Sequence, residues 1–357
     1  MPNRPIKLFN RRELLAALAA VSAACSSSRL FAQEEPRDIF ELAAGELVTP
    51  ATQGAIDRGL AWLASRQNED GSFGSAGGYS RNAGVTGLIG MAFLSGGHTP
   101  DRGRYGEQVS RMVRFLLKNA QDNGLIVTPG AISHGPMYDH GFATLFLAEV
   151  YGMSPEPELR EKLVKAVQRI IDSQNKEGGW RYMPVRADAD MSVTVCEIMA
   201  LRAARNAGIF VPNEVVDASI EYVKRAQNPD GGFMYMLSGG PSQFPRSAGG
   251  MVALYSAGVY EGDEIEKGLE YLMQQTPRDD AFSRESHFFY GHYYAVQVMW
   301  QAGGEYWRKW YPAIHDALLA QQREDGAWAD SICNEYGTAM ASIILQMPNN
   351  YLPIFQR

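Results

Sequence analysis

The chain has 357 residues, 45% of them hydrophobic, and a formal charge of −7. That is enough apolar material for a sizeable core. Residues 1–32 hold five basic residues and one acidic one; without them the balance is 28 basic against 39 acidic residues, or −11, which argues against general nucleic-acid binding and against attraction to an anionic surface.

The chain opens on Arg11-Arg12-Glu13-Leu14-Leu15, followed by a short apolar run to Ala24 and then Leu30-Phe31-Ala32. Charged, apolar and small-residue stretches in that order are the pattern of an export signal, and the run is too short to span a bilayer. The paired arginines resemble a twin-arginine signal. Residues 1–32 are therefore expected to direct export to the periplasm or cell surface, with 33–50 as an extension. Cys25 lacks the preceding aliphatic residue that lipidation would want. Cys196 and Cys333 fall in different repeats (described next), too far apart for a disulfide.

From residue 51 onward four segments nearly repeat. They are Gln67-Asn68-Glu69-Asp70-Gly71-Ser72-Phe73, Gln174-Asn175-Lys176-Glu177-Gly178-Gly179-Trp180, Gln227-Asn228-Pro229-Asp230-Gly231-Gly232-Phe233 and Gln322-Arg323-Glu324-Asp325-Gly326-Ala327-Trp328, with Gln121-Asp122-Asn123-Gly124 a degenerate copy. Gly71, Gly124, Gly178 and Gly231 are 53, 54 and 53 residues apart, and Gly326 follows 95 residues later, or two shorter periods. A repeat of this length decides the architecture.

Each segment follows an amphipathic run, such as Ile56, Leu60 and Leu63, or Leu163, Val167 and Ile170. Spacings of three and four place these on one helical face. The glycine supplies the left-handed turn that ends the helix. A second helix, apolar most of the way round, follows in each repeat: Gly84–Leu94, Gly141–Val150, Met191–Ala204, Ser247–Ala257, Tyr290–Trp300 and Tyr336–Leu345. Six outer–inner hairpins result, at 51–97, 105–151, 158–207, 213–260, 263–303 and 305–347. The fifth is the poorest copy, with Gln274-Gln275-Thr276-Pro277 at its turn. The end repeats carry no polar caps of the kind an open solenoid needs. The expected fold is all-α, a closed (α/α)6 toroid over 51–350 with a tail at 351–357.

The Gln-to-aromatic repeats and the six-fold count resemble the superfamily of squalene–hopene cyclases and protein prenyltransferase β subunits, over roughly residues 50 to 350. The stretches Tyr336-Gly337-Thr338-Ala339-Met340 and Leu352-Pro353-Ile354-Phe355-Gln356-Arg357 are similar to exported single-toroid prenyltransferase/squalene-oxidase-repeat proteins. The resemblance implies a central apolar cavity that takes an isoprenoid-type lipid. In the cyclases an Asp-x-Asp-Asp motif starts an inner helix, and its middle Asp protonates an alkene. Here Asp188-Ala189-Asp190-Met191 stands at that place, which makes Asp190 the candidate acid and Asp188 its neighbour, with Met191 in place of the last Asp.

Protonating an alkene needs a neutral carboxylic acid in a dry pocket, which burial favours. The cation formed needs aromatic faces. Tyr138, Phe142, Tyr182, Phe244, Tyr290 and Tyr336 stand near inner-helix starts and are expected at one mouth, with Asp190 near His140, His292 or Tyr336. Asp190 also fits a helix N-cap, where the helix dipole would oppose an acid role. Arg81, Arg186 and Arg246 stand in the loops just before inner helices one, three and four and are candidates for an anionic group or for pairing with loop acids. Asp139-His140, His292 and Cys333 are the residue types that bind zinc, as in a prenyltransferase-like enzyme, yet no tight ligand spacing supports a site. No metal or other cofactor is expected. The alternatives are a lipid cyclase and an exported binding or scaffold module without chemistry. The partners expected are an isoprenoid lipid, no nucleic acid, and a peripheral membrane contact.

Overall fold

The computed structural model describes residues 48–75, 77–130, 133–277 and 285–356. The export signal, Cys25 and nearly all of the 33–50 extension lie outside them. Among the described residues, twelve α-helices alternate between two layers. The outer helices are α1 (Pro50–Ser65), α3 (Gly106–Lys118), α5 (Pro157–Ser173), α7 (Asn213–Arg225), α9 (Asp263–Met273) and α11 (Gly304–Gln321). The inner helices are α2 (Ala83–Ser95), α4 (Pro136–Met153), α6 (Met191–Asn206), α8 (Phe244–Ser256), α10 (Phe288–Ala302) and α12 (Asn334–Gln346).

Each inner helix packs on the next, from α2 through α4, α6, α8 and α10 to α12, and α12 packs back on α2 and α1. The ring is closed. The layers follow from the apolar patterning. Every residue of α2 is buried, whereas α1 buries mainly the stripe that includes Ile56, Leu60 and Leu63, as one-faced and all-round apolar helices should.

The repeat motif is the joint between hairpins. Gly71, Gly124, Gly178, Gly231 and Gly326 all have φ between 86° and 97°, a region costly for other residues. Each also abuts a backbone carbonyl of the next outer helix. A Cβ on Gly326 would lie 2.8 Å from the Arg58 carbonyl oxygen on the first outer helix. The motif glutamine bridges the same gap. Gln174 Nε2 donates to Gly178 O in its own turn and to Val215 O at the next outer helix, both at 2.9 Å. Gln67 and Gln227 do the same. Gln322 reaches Gly326 O at 3.0 Å and, back across the whole sequence, Ala55 O at 2.8 Å.

The aromatic that ends each motif is fully buried, as in Phe73, Trp180, Phe233 and Trp328. Its backbone N–H donates to a hydroxyl in the early turns of the following inner helix: Phe73 to Thr86, Trp180 to Thr194 and Trp328 to Thr338 at 3.0 Å, and Phe233 to Ser247 at 2.8 Å. In the degenerate second copy His140 takes over. Ile126 N–H donates to its Nδ1 at 3.0 Å, while its Nε2 meets Ala166 O at 3.1 Å. An accepting Nδ1 and a donating Nε2 define a neutral imidazole, and burial holds its pKa down to about 4.

The starts of α4 and α8 differ most from the sequence expectation. α4 begins at Pro136 and α8 at Phe244, several residues before Gly141 and Ser247. Pro136 and Pro245 occupy the first helical positions, where a missing N–H costs nothing. The 351–357 tail is not loose over its described part: Ile354 and Phe355 are buried.

Gln322→Ala is expected to lower the urea-unfolding free energy by about 1–3 kcal/mol, within about 1 kcal/mol of the effect of Gln174→Ala, because each removes two hydrogen bonds that bridge a joint. A Gln322→Ala effect below about 0.5 kcal/mol would mean the ring is open in solution. His140→Ala, which leaves the buried Ile126 N–H without its acceptor and removes a second bond to the Ala166 carbonyl, should cost about 2–5 kcal/mol, and His140→Thr roughly half as much. Equal stability of His140→Ala and wild type would remove the joint role.

Candidate active site

First-turn residues of all six inner helices meet at one half-open cavity of about 330 Å³, so the inner N-termini share one end of the ring. Gly84, Val85 and Leu88 come from α2, and Tyr138, Asp139 and Phe142 from α4. Ser192 on α6, Pro245 and Arg246 on α8, Tyr290 on α10 and Tyr336 on α12 complete the circle. The preceding loops add Tyr79, Asn82, Ser133, His134, Tyr182, Tyr235, Gln243, His287 and Ile332. The wall is aromatic and partly polar rather than purely apolar.

Six of the sequence candidates line this space: Tyr138, Phe142, Tyr182, Arg246, Tyr290 and Tyr336. Tyr138 and Tyr182 have ring centroids 6.2 Å apart. Tyr182 and Tyr235 share a hydroxyl–hydroxyl hydrogen bond. Tyr290 OH donates to the Ser192 carbonyl at 3.1 Å.

Five candidates are placed elsewhere. His140 is committed to the joint described above. Phe244 and His292 form an aromatic cluster with Phe288 and Trp310, behind the wall, and His292 Nε2 meets Glu285 at 2.9 Å. Asp188 is half exposed and pairs with Arg181. Asp190 is fully buried but is not part of the cavity wall. Its Oδ1 caps α6 by accepting the Val193 N–H at 2.9 Å, and its Oδ2 lies 3.7 Å from Arg181 Nε. Burial raises its pKa to about 6, against the Val193 hydrogen bond and the Arg181 charge.

The carboxyl that does line the cavity is Asp139. It is 4% exposed, and burial raises its pKa to about 6 despite hydrogen bonds from Asn82 and Ser133. Asn82 Nδ2 donates to Oδ1 at 2.9 Å, while Asn82 Oδ1 caps α2 through the Val85 N–H. Ser133 Oγ lies 3.0 Å from Oδ2 and 3.2 Å from the Gly135 carbonyl. That carbonyl can only accept. When Ser133 gives its proton to Gly135, its oxygen is free to accept the proton of a neutral Asp139. The site therefore satisfies the protonated acid without rearrangement. Gly84 makes the approach possible, since a Cβ there would sit 2.9 Å from Asp139 Cα.

Among the other arginine candidates, Arg81 pairs with Asp70 at 3.1 Å and Arg186 donates to the Asp172 carbonyl. The zinc-type residues are not brought together. Asp139, His140 and His292 have the separate partners given above, and no group of three or more His, Cys, Asp or Glu side chains suited to a metal occurs among the described residues. Cys196 and Cys333 are buried free thiols.

No curated protein matches the chain by sequence. Solved structures do match by shape. The type II terpene cyclase MstE from Scytonema is 15% identical with a TM-score of 0.61, covering 85% of this chain and 100% of that one. A variant of it in complex with geranylgeranyl dihydroxybenzoate is 14% identical, with a TM-score of 0.58 and coverages of 85% and 98%. An inactive α-1,6-mannanase from Salegentibacter, in complex with α-1,6-mannotriose, is 6% identical, with a TM-score of 0.62 and coverages of 84% and 99%. At such identities the likeness is one of fold. The sequence model of the prenyltransferase alpha-alpha toroid domain matches residues 52–165 and 158–276. Together with the closed ring of six outer and six inner helices, that match shows that the chain belongs to the prenyltransferase alpha-alpha toroid family.

Proposed function

We propose that this protein binds an isoprenoid-type molecule in the cavity at the inner-helix N-termini and cyclises it by protonating an alkene, with Asp139 as the acid. One observation carries the reading: among the described lining residues a single carboxyl, its pKa raised by burial to about 6, stands in a wall otherwise rich in aromatic rings. The solved relative that binds a geranylgeranyl compound is consistent with it. At about 330 Å³ the cavity is at the small end of ligand sites, which favours a short isoprenoid over a triterpene. Export through the twin-arginine-like signal would place this chemistry outside the cytoplasm.

The proton of Asp139, given directly or through Ser133 Oγ, forms a C–H bond with the π electrons of a terminal alkene. The tertiary cation left behind is attacked by the next alkene, which forms the ring C–C bond. The last cation returns a proton to the Asp139 carboxylate as a new alkene forms, so the net change is an isomerisation. The faces of Tyr138, Tyr290 and Phe142 stabilise the cation, and a dry wall keeps water from quenching it. Asp190, committed to the α6 cap, supports the wall from behind. Glycoside hydrolysis, the chemistry of the mannanase neighbour's class, uses two carboxyls flanking the bond; among the described lining residues Asp139 is alone.

Farnesyl and geranylgeranyl alcohols and acids, incubated with the protein, are expected to give cyclic isomers by mass spectrometry. Turnover should fall about tenfold per pH unit above about pH 6. Asp139→Asn should abolish it. Asp190→Asn should keep it and cost less than about 1 kcal/mol, whereas Asp190→Ala should cost about 0.5–2 kcal/mol. Products from Asp139→Asn would end the assignment; no product from wild type, with prenyl ligand still bound, would leave a binding module.

Stability gives an independent check. The folded pKa of Asp139 lies above its unfolded value of 3.8. Its stabilising contribution is therefore full below pH 3.8 and is lost as pH rises through about 6. Asparagine mimics the neutral acid, so Asp139→Asn should match wild type within about 1 kcal/mol at low pH and exceed it by about 1–3 kcal/mol at pH 8.

A further inference from the structure

Arg246 is the one Lys or Arg among the described residues of the cavity wall, and three neutral acceptors fix it. Its Nε donates to the Phe233 carbonyl at 3.1 Å, its Nη1 to Gln243 Oε1 at 2.9 Å and its Nη2 to the Pro241 carbonyl at 2.7 Å. The guanidinium lies over the Tyr235 ring, 5.8 Å from its centroid. No carboxylate pairs with it among the described residues, unlike Arg81 and Arg181, which hold Asp70 and Asp188. One N–H on each terminal nitrogen stays uncommitted.

Asp139 is the one carboxyl among the described residues of the cavity wall. It sits on α4, with α6 between it and α8. Gln243, at the N-cap of α8, makes no side-chain cap; its oxygen serves Arg246 instead. The positive end of α8 is thus left facing the same corner.

We infer, resting on the proposed site, that the ligand ends in a single carboxylate which lies against Arg246 while its apolar tail runs toward Val85, Leu88 and Phe142. Two uncommitted N–H groups on one guanidinium match the two oxygens of a carboxylate. A diphosphate would set several negative charges beside one cation. A carboxylate anchored at α8 also orients the molecule, sending its far alkene across the cavity toward Asp139. A prenyl acid and a fatty acid share this chemistry.

Binding of farnesoate, farnesol and dodecanoate to the full chain at pH 7 by calorimetry tests the inference. Farnesoate should bind wild type about 10- to 100-fold more tightly than farnesol, a preference of the size expected for a charge-assisted pair. Arg246→Gln should erase that preference while leaving farnesol affinity within about threefold, and Arg246→Lys should retain part of it. If Arg246→Gln fails to fold, wild type and Arg246→Lys decide alone. Equal affinity for farnesoate and farnesol would overturn the carboxylate inference and leave the isoprenoid reading standing. Arg246-dependent binding of dodecanoate without farnesoate would uphold the carboxylate and sink the isoprenoid. Binding of none of the three would overturn both.

Discussion

At four of the six joints one side-chain amide fastens a hairpin to the next. In the four full repeats, the glutamine at the end of an outer helix gives its two N–H bonds to carbonyls that face each other across a joint, one in its own turn and one at the following outer helix. The left-handed glycine lets the two backbones come close enough for that bridge. The buried aromatic then ties the turn to the inner helix through its backbone N–H. Three residues thus fix the distance and angle between neighbouring hairpins. The last of these joints, from Gln322 to Ala55, brings the sixth hairpin back to the first.

The site is a by-product of that geometry. Bringing six inner-helix N-termini to one end concentrates their unsatisfied N–H groups around a single space, and the chain deals with them in different ways. Asn82 caps α2 and uses its other atom to hold Asp139. Asp190 caps α6 and brings its second oxygen to 3.7 Å from Arg181. Gln243 leaves α8 uncapped and steadies Arg246. The contrast between Asp139 and Asp190 shows how position outweighs acidity. Both are pushed to about 6 by burial, but only Asp139 faces a ligand-sized space.

The fold was legible because it is written in repetition: the glycine spacing, the apolar period and the count of hairpins each point to the ring. Tyr138, Phe142, Tyr182, Arg246, Tyr290 and Tyr336 were legible as mouth residues for the same reason, since inner-helix starts recur in register. The place of Asp139 in the wall is not legible, because it depends on Pro136 starting α4 five residues before Gly141, and on Gly84 admitting it beside Asn82. His140 looked like a ligand when seen alone. Aligned with Thr86, Thr194, Ser247 and Thr338 it is one member of a series, and that periodic signal was present in the sequence. His292 and Phe244 were beyond reach, as their removal from the wall follows from packing against Trp310, far along the chain.

The bond from Gln322 to Ala55 has a consequence for how the chain folds. Internal joints such as Gln174 to Val215 close a loop of 41 residues, whereas the last joint closes one of 267. With an entropic cost that grows as the logarithm of loop length, the same chemical link is about 1.7 kcal/mol harder to form from an unfolded chain at the seam than elsewhere. Neighbouring hairpins can assemble first and shorten the effective loop, so the seam is the natural last event. A circularly permuted chain, cut between two other hairpins and joined at the present seam, would move that late step without changing a single contact in the ring.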